Sequence, residues 1–420
     1  MNLTMSRKER ERLVAIRGVE NAQLTQQEAA EQLQISIRQV GRSLARYREQ
    51  GDAGLIHRAR GQPSNRRIAP EVRKRAVELV KERYSDFGPT LAAEKLSERH
   101  GITVSKETVR RWMIEEKLHK VKRRKPKHRA QRERKRCFGE LLQLDGSEHP
   151  WFEGRGTLEP ELINAVDDAT SSVFMQFAAA ESTEAVMRLL RDYIALYGRP
   201  LAVYADRHSI YRATREASLD EQLQGVEAET QLGRALRELD IEYIPAYSPQ
   251  AKGRVERSFG TLQDRLVKEL RLESLSDLES ANRFLKEHFI PSYNRQFAVP
   301  PASTHDAHRS AEGFHLDAIL SHQETRVVTN DYTLSYHNTR YQIAPESVVA
   351  GLRKSKVIVE RRLDGSIHVR FRERYLAVTE LPPPQPRPTE PKPRREPTVV
   401  IPAADHPWRQ GYRNMPDGPI

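Results

Sequence analysis

Two short apolar stretches that each end in an aspartate constrain the fold of this chain more than any other feature. The first is LLQLDGS, which contains Asp145, and the second is LAVYAD, which ends in Asp206. Apolar runs of about four to eight residues that stop at a turn residue are typical of buried strands. A carboxylate at the end of such a strand is costly unless a positive group meets it. The pattern therefore predicts a buried sheet whose strand ends carry functional acids.

A third acid, Glu256, lies near the start of a predicted helix that follows Ser248 and Pro249. Serine suits the cap of a helix and proline suits its first turn. Three carboxylates brought together repel one another, so they need cations between them. Hard divalent ions with oxygen ligands, Mg²⁺ or Mn²⁺, meet that need. We therefore predict that Asp145, Asp206 and Glu256 bind two metal ions at a site for phosphodiester transfer.

The same helix carries positive charge beside its glutamate. Lys252 and Glu256 are four residues apart and share a helix face, and Arg254 lies between them in the sequence. Both cations are candidates to contact DNA at the scissile phosphate. The alternative is an ordinary surface ion pair between Lys252 and Glu256, which contributes only about a few tenths of a kcal/mol.

The charge balance of the chain favours double-stranded DNA as a partner. The chain has 420 residues and a formal net charge of +12, which attracts a polyanion. Its one cysteine, Cys137, permits neither an internal disulfide nor a multi-cysteine zinc site. That cysteine usage is expected in a reducing cytoplasm. No apolar stretch approaches the roughly 18 residues of a membrane span, and the amino terminus is too charged for a signal peptide.

The amino-terminal region has the pattern of a helix-turn-helix unit. A capping-box pattern at Thr25 and Glu28 begins one short helix, and Ser36 caps a basic helix over 37–49. In such units the second helix enters the major groove, where Arg and Gln contact base edges. The candidate DNA-binding residues of this helix are Arg38, Gln39, Arg42 and Arg46. The alternative is a helical hairpin with a solvated basic face.

A second unit of the same kind follows. Helices are predicted over 70–84, 90–100 and 106–117. The last of them offers Arg110 and Arg111 as candidate DNA-binding residues. Between residues 120 and 136, eleven residues are Lys or Arg and one is acidic. That segment is predicted to bind phosphate groups and not to fold by itself.

The region after the basic segment is predicted to be an α/β core. Strands are expected near 140–144, 161–167, 172–178, 201–206 and 241–245. Strands that come first as a group and then alternate with helices are typical of a sheet of ribonuclease-H type. Asp167 and Asp168 are expected to serve the turn after the second strand, and the alternative is a position near the acidic site.

The carboxy-terminal region changes to short alternating strands between 324 and 379. The dipeptide Asp364–Gly365 is a hairpin signal, and a small β-barrel with basic edges is predicted. Eight prolines between Leu381 and Pro397 predict an extended tail.

The expected architecture is therefore multidomain, with all-α units first, then the α/β core and then the barrel. The predicted domains are 1–58 and 59–118 for the two helix-turn-helix units, 119–137 for the basic linker, 138–300 for the core, 324–380 for the barrel and 381–420 for the Pro-rich tail.

The acidic motifs resemble those of a known family. Asp145 in LLQLDGS, Asp206 in VYADRHS and Glu256 in SPQAKGRVERSFGTLQDRL are similar to the acidic triad of retroviral-integrase-type transposases, which have a ribonuclease-H-like core. With DGSEHPWFE, AVDDATS and GRPLAVYADRHSIYR, nearly the whole chain resembles bacterial insertion-sequence transposases of the ISNCY type. The resemblance implies a DNA transposase that binds the terminal repeats of its element and cleaves and joins strands with two Mg²⁺ ions. It also implies a homodimer or larger assembly on DNA, and a barrel that contacts DNA or a partner.

Two questions stay open from the sequence. The second acid could be Asp220, because it lies 256 − 220 = 36 residues before Glu256, whereas Asp206 lies 256 − 206 = 50 residues before it. The shorter interval is closer to the family pattern, but Asp220 follows no predicted strand and stands where a helix cap is expected. Two other functions are also compatible with these motifs, namely a non-catalytic DNA-binding regulator derived from a transposase and a structure-specific nuclease.

Overall fold

The computed structural model describes residues 5–57, 67–120, 133–205, 229–245, 253–382 and 401–406. Asp206, Asp220 and Lys252 lie outside these ranges, as do most of the basic linker and most of the Pro-rich tail. The chain divides into two compact units, Met1–Lys127 and His128–Ile420. None of the described helices combines the length and the apolarity that crossing a membrane requires.

The first part of the amino-terminal unit contains three helices around a small apolar core. They are α1 (Arg7–Glu20), α2 (Gln26–Leu33) and α3 (Ile37–Gln50). Each begins at a capping box, in which a Ser or Thr side chain accepts from the backbone three residues on and a Glu or Gln side chain reaches back. Gln34 ends α2 in the left-handed conformation, with φ of 52°. The predicted helix-turn-helix of α2 and α3 is confirmed.

The second part repeats this arrangement. Its helices are α4 (Pro70–Arg83), α5 (Pro89–His100) and α6 (Lys106–Glu115). Gly101 ends α5 in the left-handed conformation, and Ser105 caps α6. Leu79, Leu91, Leu96 and Met113 are almost fully buried between the helices. The second predicted helix-turn-helix is therefore also present.

Acidification is expected to destabilise this second unit through His100. The His100 Nε2 atom lies 2.9 Å from the Tyr84 hydroxyl. Burial, reinforced by Arg83 and Arg75, holds the pKa of His100 below its usual value. Because the pKa of His100 is lower in the folded protein than in the unfolded chain, the unfolded chain binds the proton more readily. The folded state therefore has its full stability above about pH 6.5 and loses stability as the pH falls through the folded-state pKa. The loss of melting temperature between pH 7.5 and pH 5.5 should be smaller in His100→Gln, and an equal loss in both proteins would contradict this role.

A five-stranded mixed sheet forms the centre of the second unit. Its strands are β1 (Leu142–Glu148), β2 (Glu161–Asp167), β3 (Val173–Ala178), β4 (Ala202–Ala205) and β5 (Glu242–Pro245). They lie in the order β3-β2-β1-β4-β5. The first three strands in sequence pair antiparallel, whereas β4 pairs parallel with β1 and β5 pairs parallel with β4.

Helices cover both faces of this sheet. They are α7 (Thr183–Tyr197), α8 (Gln231–Glu238), α9 (Gly253–Leu272), α10 (Leu278–Phe284) and α11 (Ile290–Phe297), with a π-helical turn between the last two. Leu144 and Ile163 pack with α7 and α8 in one apolar cluster, and Leu162 and Val166 pack with α9 to α11 in another. Successive strand residues therefore point to opposite faces, as the pleat requires. The predicted α/β core is confirmed.

The carboxy-terminal region forms two antiparallel sheets. After the short helix α12 (Leu316–Ile319) come β6 (His322–Val327), β7 (Thr333–Tyr336), β8 (Thr339–Ile343), β9 (Lys356–Arg361), β10 (Ile367–Phe371), β11 (Arg374–Leu376) and β12 (Val378–Leu381). One sheet has the order β11-β10-β9-β6 and the other has the order β12-β8-β7. The two sheets share an apolar core. A barrel needs one closed ladder of hydrogen bonds, and the sheets of the described residues are not joined in that way, so the predicted closed barrel is not confirmed.

Candidate active site and DNA-binding surfaces

Asp145 lies on the face of the sheet that α9 covers. It pairs with Asn164 across the antiparallel ladder of β1 and β2, and residues that pair in this way point to the same face. Asn164 Nδ2 donates to the Ser258 hydroxyl of α9 at 2.8 Å. Gln143 and Ser147 share this face with Asp145 because the strand repeats every two residues. Asp145 itself is half-buried.

Two contacts set the direction of α9 along β1. The Val255 backbone N–H donates to Gln143 Oε1 at 3.4 Å. Two turns further on, Gln263 Nε2 donates to the Ser147 hydroxyl at 3.2 Å. The helix therefore runs in the same direction as the strand. Asp145 lies between the two anchored positions of β1, directly beneath this part of the helix.

Glu256 projects from the flank of α9 that faces β1. It precedes Gln263 by seven residues, which is two helical turns, so both side chains leave the same side of the helix. Gln263 already contacts β1, whereas Ser258 lies on the flank that faces β2. Glu256 follows Val255 by one helical residue, a rise of about 1.5 Å, and Asp145 follows Gln143 by two strand residues, a rise of about 6.6 Å. If Val255 and Gln143 are taken as level, the α-carbons of Glu256 and Asp145 are therefore offset by only about 5 Å along the direction shared by the helix and the strand. The Glu256 side chain is exposed.

The atoms offered at this position suit a hard divalent cation. Asp145 and Glu256 supply carboxylate oxygens, and the amide oxygen of Asn164 is buried with no hydrogen-bond partner among the described residues. Mg²⁺ and Mn²⁺ prefer oxygen ligands of these kinds. Within the ranges that the structure describes, no three His, Cys, Asp or Glu side chains form a group that can hold a metal ion. The third predicted ligand, Asp206, falls outside those ranges.

The strand that precedes Asp206 lies directly beside β1. Leu142 pairs with Val203 and Gln143 pairs with Tyr204 in the parallel ladder. The described part of β4 ends at Ala205, the residue before Asp206. The parallel direction brings the carboxyl ends of β1 and β4 to the same edge of the sheet, where sites of α/β proteins are commonly built.

Of the two cations predicted near Glu256, only Arg254 is described. Its Nε donates to Asp168 Oδ1 at 2.9 Å, and the exposed fractions of the two side chains are 10% and 0%. Arg254 is thus a partner of a buried carboxylate. Its contact with DNA stays a prediction, and Lys252 lies in the gap between 245 and 253.

The candidate DNA-binding residues of α3 occupy one side of that helix. Arg38, Gln39 and Arg42 are exposed, and Arg46 is half-buried. Gln39, Arg42 and Arg46 line a groove of about 540 Å³ together with Arg12. The Gln39 side chain also accepts from the Ser36 backbone at the helix cap, so a base contact would compete with that cap. Arg46 donates to the Arg42 carbonyl at 3.3 Å and to the Ser43 hydroxyl at 3.4 Å. Contact of this set with DNA stays a prediction.

The candidate residues of α6 flank its buried face. Arg111 is exposed and Arg110 is half-buried. Arg110 pairs with Glu107 at 3.1 Å, with 37% and 61% of the two side chains exposed. Such an exposed pair is weak and can exchange its glutamate for a phosphate. Arg111 lines a groove between α4 and α6 that also contains Arg67, Arg73 and Lys81.

Replacing Arg42 with Ala is expected to weaken DNA binding by about tenfold and to change its salt dependence. Loss of one phosphate contact lowers the slope of log affinity against log salt by about one, whereas loss of a base contact costs about 1–3 kcal/mol and relaxes sequence preference. Electrophoretic mobility shifts at several salt concentrations distinguish the loss of a phosphate contact from the loss of a base contact. Arg7→Ala is the matched control, because Arg7 is 88% exposed on α1 and pairs with Glu11. Equal effects of both variants would contradict the assignment.

Gln143, Asn164 and Asp168 also lie between β1, β2 and α9. The sequence did not single out Gln143 or Asn164, and for Asp168 it favoured a turn over a position near the site. The available signal was the two-residue period of β1, because Gln143 must share a face with Asp145. Asn164 and Asp168 reach α9 through bonds that span 94 and 86 residues of sequence. A single sequence gives no signal for such pairs.

Comparison with known proteins is consistent with this arrangement of domains. Two sequence families described as homeodomain-like domains match residues 6–56 and 39–113. The Sinorhizobium fredii protein named "Putative transposase y4bF" is 41% identical, over 89% of this chain and 81% of that protein. The "Transposase for insertion sequence IS1202" of Streptococcus pneumoniae is 27% identical, over 96% of this chain and 93% of its own length.

A solved structure is also similar over part of the chain, at low identity. The catalytic core domain of BIV integrase is 20% identical, with a TM-score of 0.24, over 36% of this chain and 85% of that chain. The identity to the first transposase extends over most of both chains. The chain belongs to the family of insertion-sequence transposases.

Proposed function

We propose that Asp145, Asp206 and Glu256 form one carboxylate site at which this transposase cleaves and joins DNA at the ends of its element. The observation that carries the proposal is the alignment of α9 on β1. The bonds of Val255 to Gln143 and of Gln263 to Ser147 support a position of Glu256 on the flank of the helix above Asp145. On this proposal, two acids that are far apart in sequence meet at one position of the sheet.

The register between β1 and β4 supports Asp206 as the third member. Asp145 follows Leu142 by three residues, and Asp206 follows Val203, the parallel partner of Leu142, by the same number. Asp206 is also joined by one peptide bond to Ala205, which limits the distance between their α-carbons to about 3.8 Å. Asp220 lies 220 − 205 = 15 residues beyond Ala205 in the sequence, so the chain sets no such limit for it. We therefore prefer Asp206 as the second acid.

The three carboxylates supply oxygen ligands for two Mg²⁺ ions, or for Mn²⁺ in their place. Such a pair of ions activates an attacking hydroxyl and stabilises the leaving oxygen when bound. The chain itself holds Asp145 and Glu256 in place, because β1 is a central strand and α9 packs on the same face of the sheet through Leu262 and Leu266, both fully buried beside β2 and β3. Water and the freed 3′ hydroxyl of DNA are the nucleophiles, so no covalent bond between protein and DNA is required.

The helix-turn-helix units would recognise the terminal repeats of the element. Two units in tandem can cover more than one turn of duplex and so define a longer site than one unit. Joining both ends of an element requires two active sites close together. We therefore propose a homodimer or a larger assembly on DNA.

Cleavage of a labelled DNA end tests this proposal. The substrate is a duplex that carries the terminal repeat and flanking sequence of the element that encodes the chain. We expect nicking at the end of the repeat with Mg²⁺ or Mn²⁺, none with EDTA, and footprints on the repeat. Binding without nicking under any metal condition would indicate a non-catalytic regulator. Nicking without a footprint on the repeat would indicate a structure-specific nuclease, and either result would overturn the proposal.

A further inference from the structure

The turn after β2 contains a fully buried carboxylate that touches three separate parts of the core. Asp168 has 0% of its surface exposed. Its Oδ1 accepts from Gln143 Nε2 at 2.7 Å and from Arg254 Nε at 2.9 Å. Its Oδ2 accepts from the Lys135 backbone N–H at 2.8 Å, and its own N–H donates to the Leu141 carbonyl at 2.9 Å. A turn function alone does not require these long-range partners.

The partners of Asp168 stand next to the candidate catalytic acids. Gln143 lies two residues before Asp145 in β1, and Arg254 lies two residues before Glu256 in α9. Gln143 also accepts from the Val255 backbone through its other amide atom. The carboxylate of Asp168 and the amide of Gln143 thus join the first turn of the helix to the strand beneath it. A shift of α9 along β1 would break these bonds.

Stability alone is a weak explanation for such an arrangement. A buried ion pair commonly contributes little net stability, because the cost of desolvating both charges offsets their attraction. What a buried pair does provide is a defined geometry, since a misplaced partner leaves a charge unpaired in the interior. Here the geometry that it defines is the position of α9 on β1.

We infer that Asp168 is a positioning residue that holds Glu256 at the level of Asp145 by fixing the first turn of α9 on β1. The inference rests on the proposed function of those two acids. Asp168 also fixes the point at which the polypeptide enters the core, through Lys135. Arg134 adds to this anchor, because it donates to the Ala169 carbonyl at 3.1 Å and to the Ser171 hydroxyl at 2.8 Å.

Hydrogen exchange of the full-length protein tests the inference without any need for activity. In Asp168→Asn the amides of residues 257–262 should exchange about tenfold faster, because the first turns of α9 open locally. Peptides from α7 should be unchanged. Arg254→Ala should give the same local pattern, since it removes the other end of the pair. Unchanged exchange in α9 would overturn the inference. An equal increase in α7 and α9 would also overturn it, because that result indicates a general structural role for Asp168.

Asp167→Asn is the matched control for this experiment. Asp167 is the preceding residue and is also buried, but it accepts from Gly139 at 3.0 Å and from the Thr170 backbone at 2.8 Å, not from α9. It should not change exchange in α9 relative to α7. In cleavage assays Asp168→Asn should lower kcat by about 10–100-fold with KM for DNA unchanged, as expected for misplaced catalytic groups. Absence of cleavage by the wild-type protein would count against the proposed function, whereas the exchange data would still decide whether Asp168 positions α9.

Discussion

Replacing Glu256 with Gln is expected to reduce DNA cleavage by about 10³-fold or more while DNA binding stays near the wild-type level. The substitution keeps the size of the side chain and removes the charge that would hold a divalent cation. Metal ions contribute several kcal/mol of transition-state stabilisation, and each 1.36 kcal/mol corresponds to a factor of ten in rate. Asp145→Asn is expected to have the same effect. Nicking of a labelled repeat end and mobility shifts on the same DNA measure the two properties.

A second acid on the same helix provides the control for Glu256→Gln. Asp264 lies two turns further along α9, is 56% exposed, and pairs with Lys268 at 2.6 Å. Asp264→Asn should retain cleavage. If Glu256→Gln cleaved as well as Asp264→Asn, Glu256 would not be a ligand.

The same assay decides between the two candidates for the second acid. Asp206→Asn should abolish cleavage, because Asp206 follows the strand that pairs with β1. Asp220→Asn should leave it within about twofold of wild type, as is usual for substitutions away from a site. The reverse result would move the second carboxylate to Asp220 and would make the interval of 36 residues to Glu256 the functional one.

Replacing Gly139 with Ala is expected to cause a large loss of stability in the core. Gly139 has a φ of +79°, and an added Cβ would lie 2.4 Å from His308 Nδ1. The His308 side chain cannot withdraw easily, because it is 3% exposed and bonded to Asp306 at 2.6 Å and to the Tyr193 hydroxyl at 2.8 Å. Left-handed strain and overpacking together cost roughly 2–4 kcal/mol. The melting temperature of the core should fall by roughly 5–15 °C.

Gly260→Ala tests whether this loss is specific to the Gly139 environment. Gly260 lies within α9, and a Cβ added there would meet no other atom within 4 Å. Replacing a helical glycine with alanine should stabilise the protein by about 0.5–1 kcal/mol. Calorimetry of both variants should therefore give opposite signs. A loss of stability in both Gly139→Ala and Gly260→Ala would contradict this account, because it would show that the effect of an added methyl group does not depend on the space around it.

Local signals in the sequence predicted much of the helical structure. The pattern at Thr25 and Glu28 is the capping box that begins α2, and Ser36 and Ser105 cap the helices that follow them. Capping depends on residues three apart, so one sequence contains all the information that it needs. The strand 161–167 was also predicted with its observed bounds, because turn residues flank a short, mostly apolar segment.

The parts that were missed depend on contacts between distant residues. The expected barrel is two sheets because closure is decided by which edge strands pair, and hydrophobic patterning does not specify that choice. The strands β11 and β12 have three and four residues, too short to give a period. Asp168 was assigned to a turn because its neighbours in sequence favour one, whereas its contact with Arg254 spans 86 residues.

Anomalous diffraction from Mn²⁺ in crystals of the protein bound to a repeat end tests the central claim most directly. The claim is that strand β1, strand β4 and helix α9 bring three distant acids to one metal-binding position. We expect Mn²⁺ peaks within about 2.0–2.4 Å of carboxylate oxygens of Asp145, Asp206 and Glu256. Manganese bound elsewhere, or a Glu256 carboxylate that shares no ion with Asp145, would contradict the account.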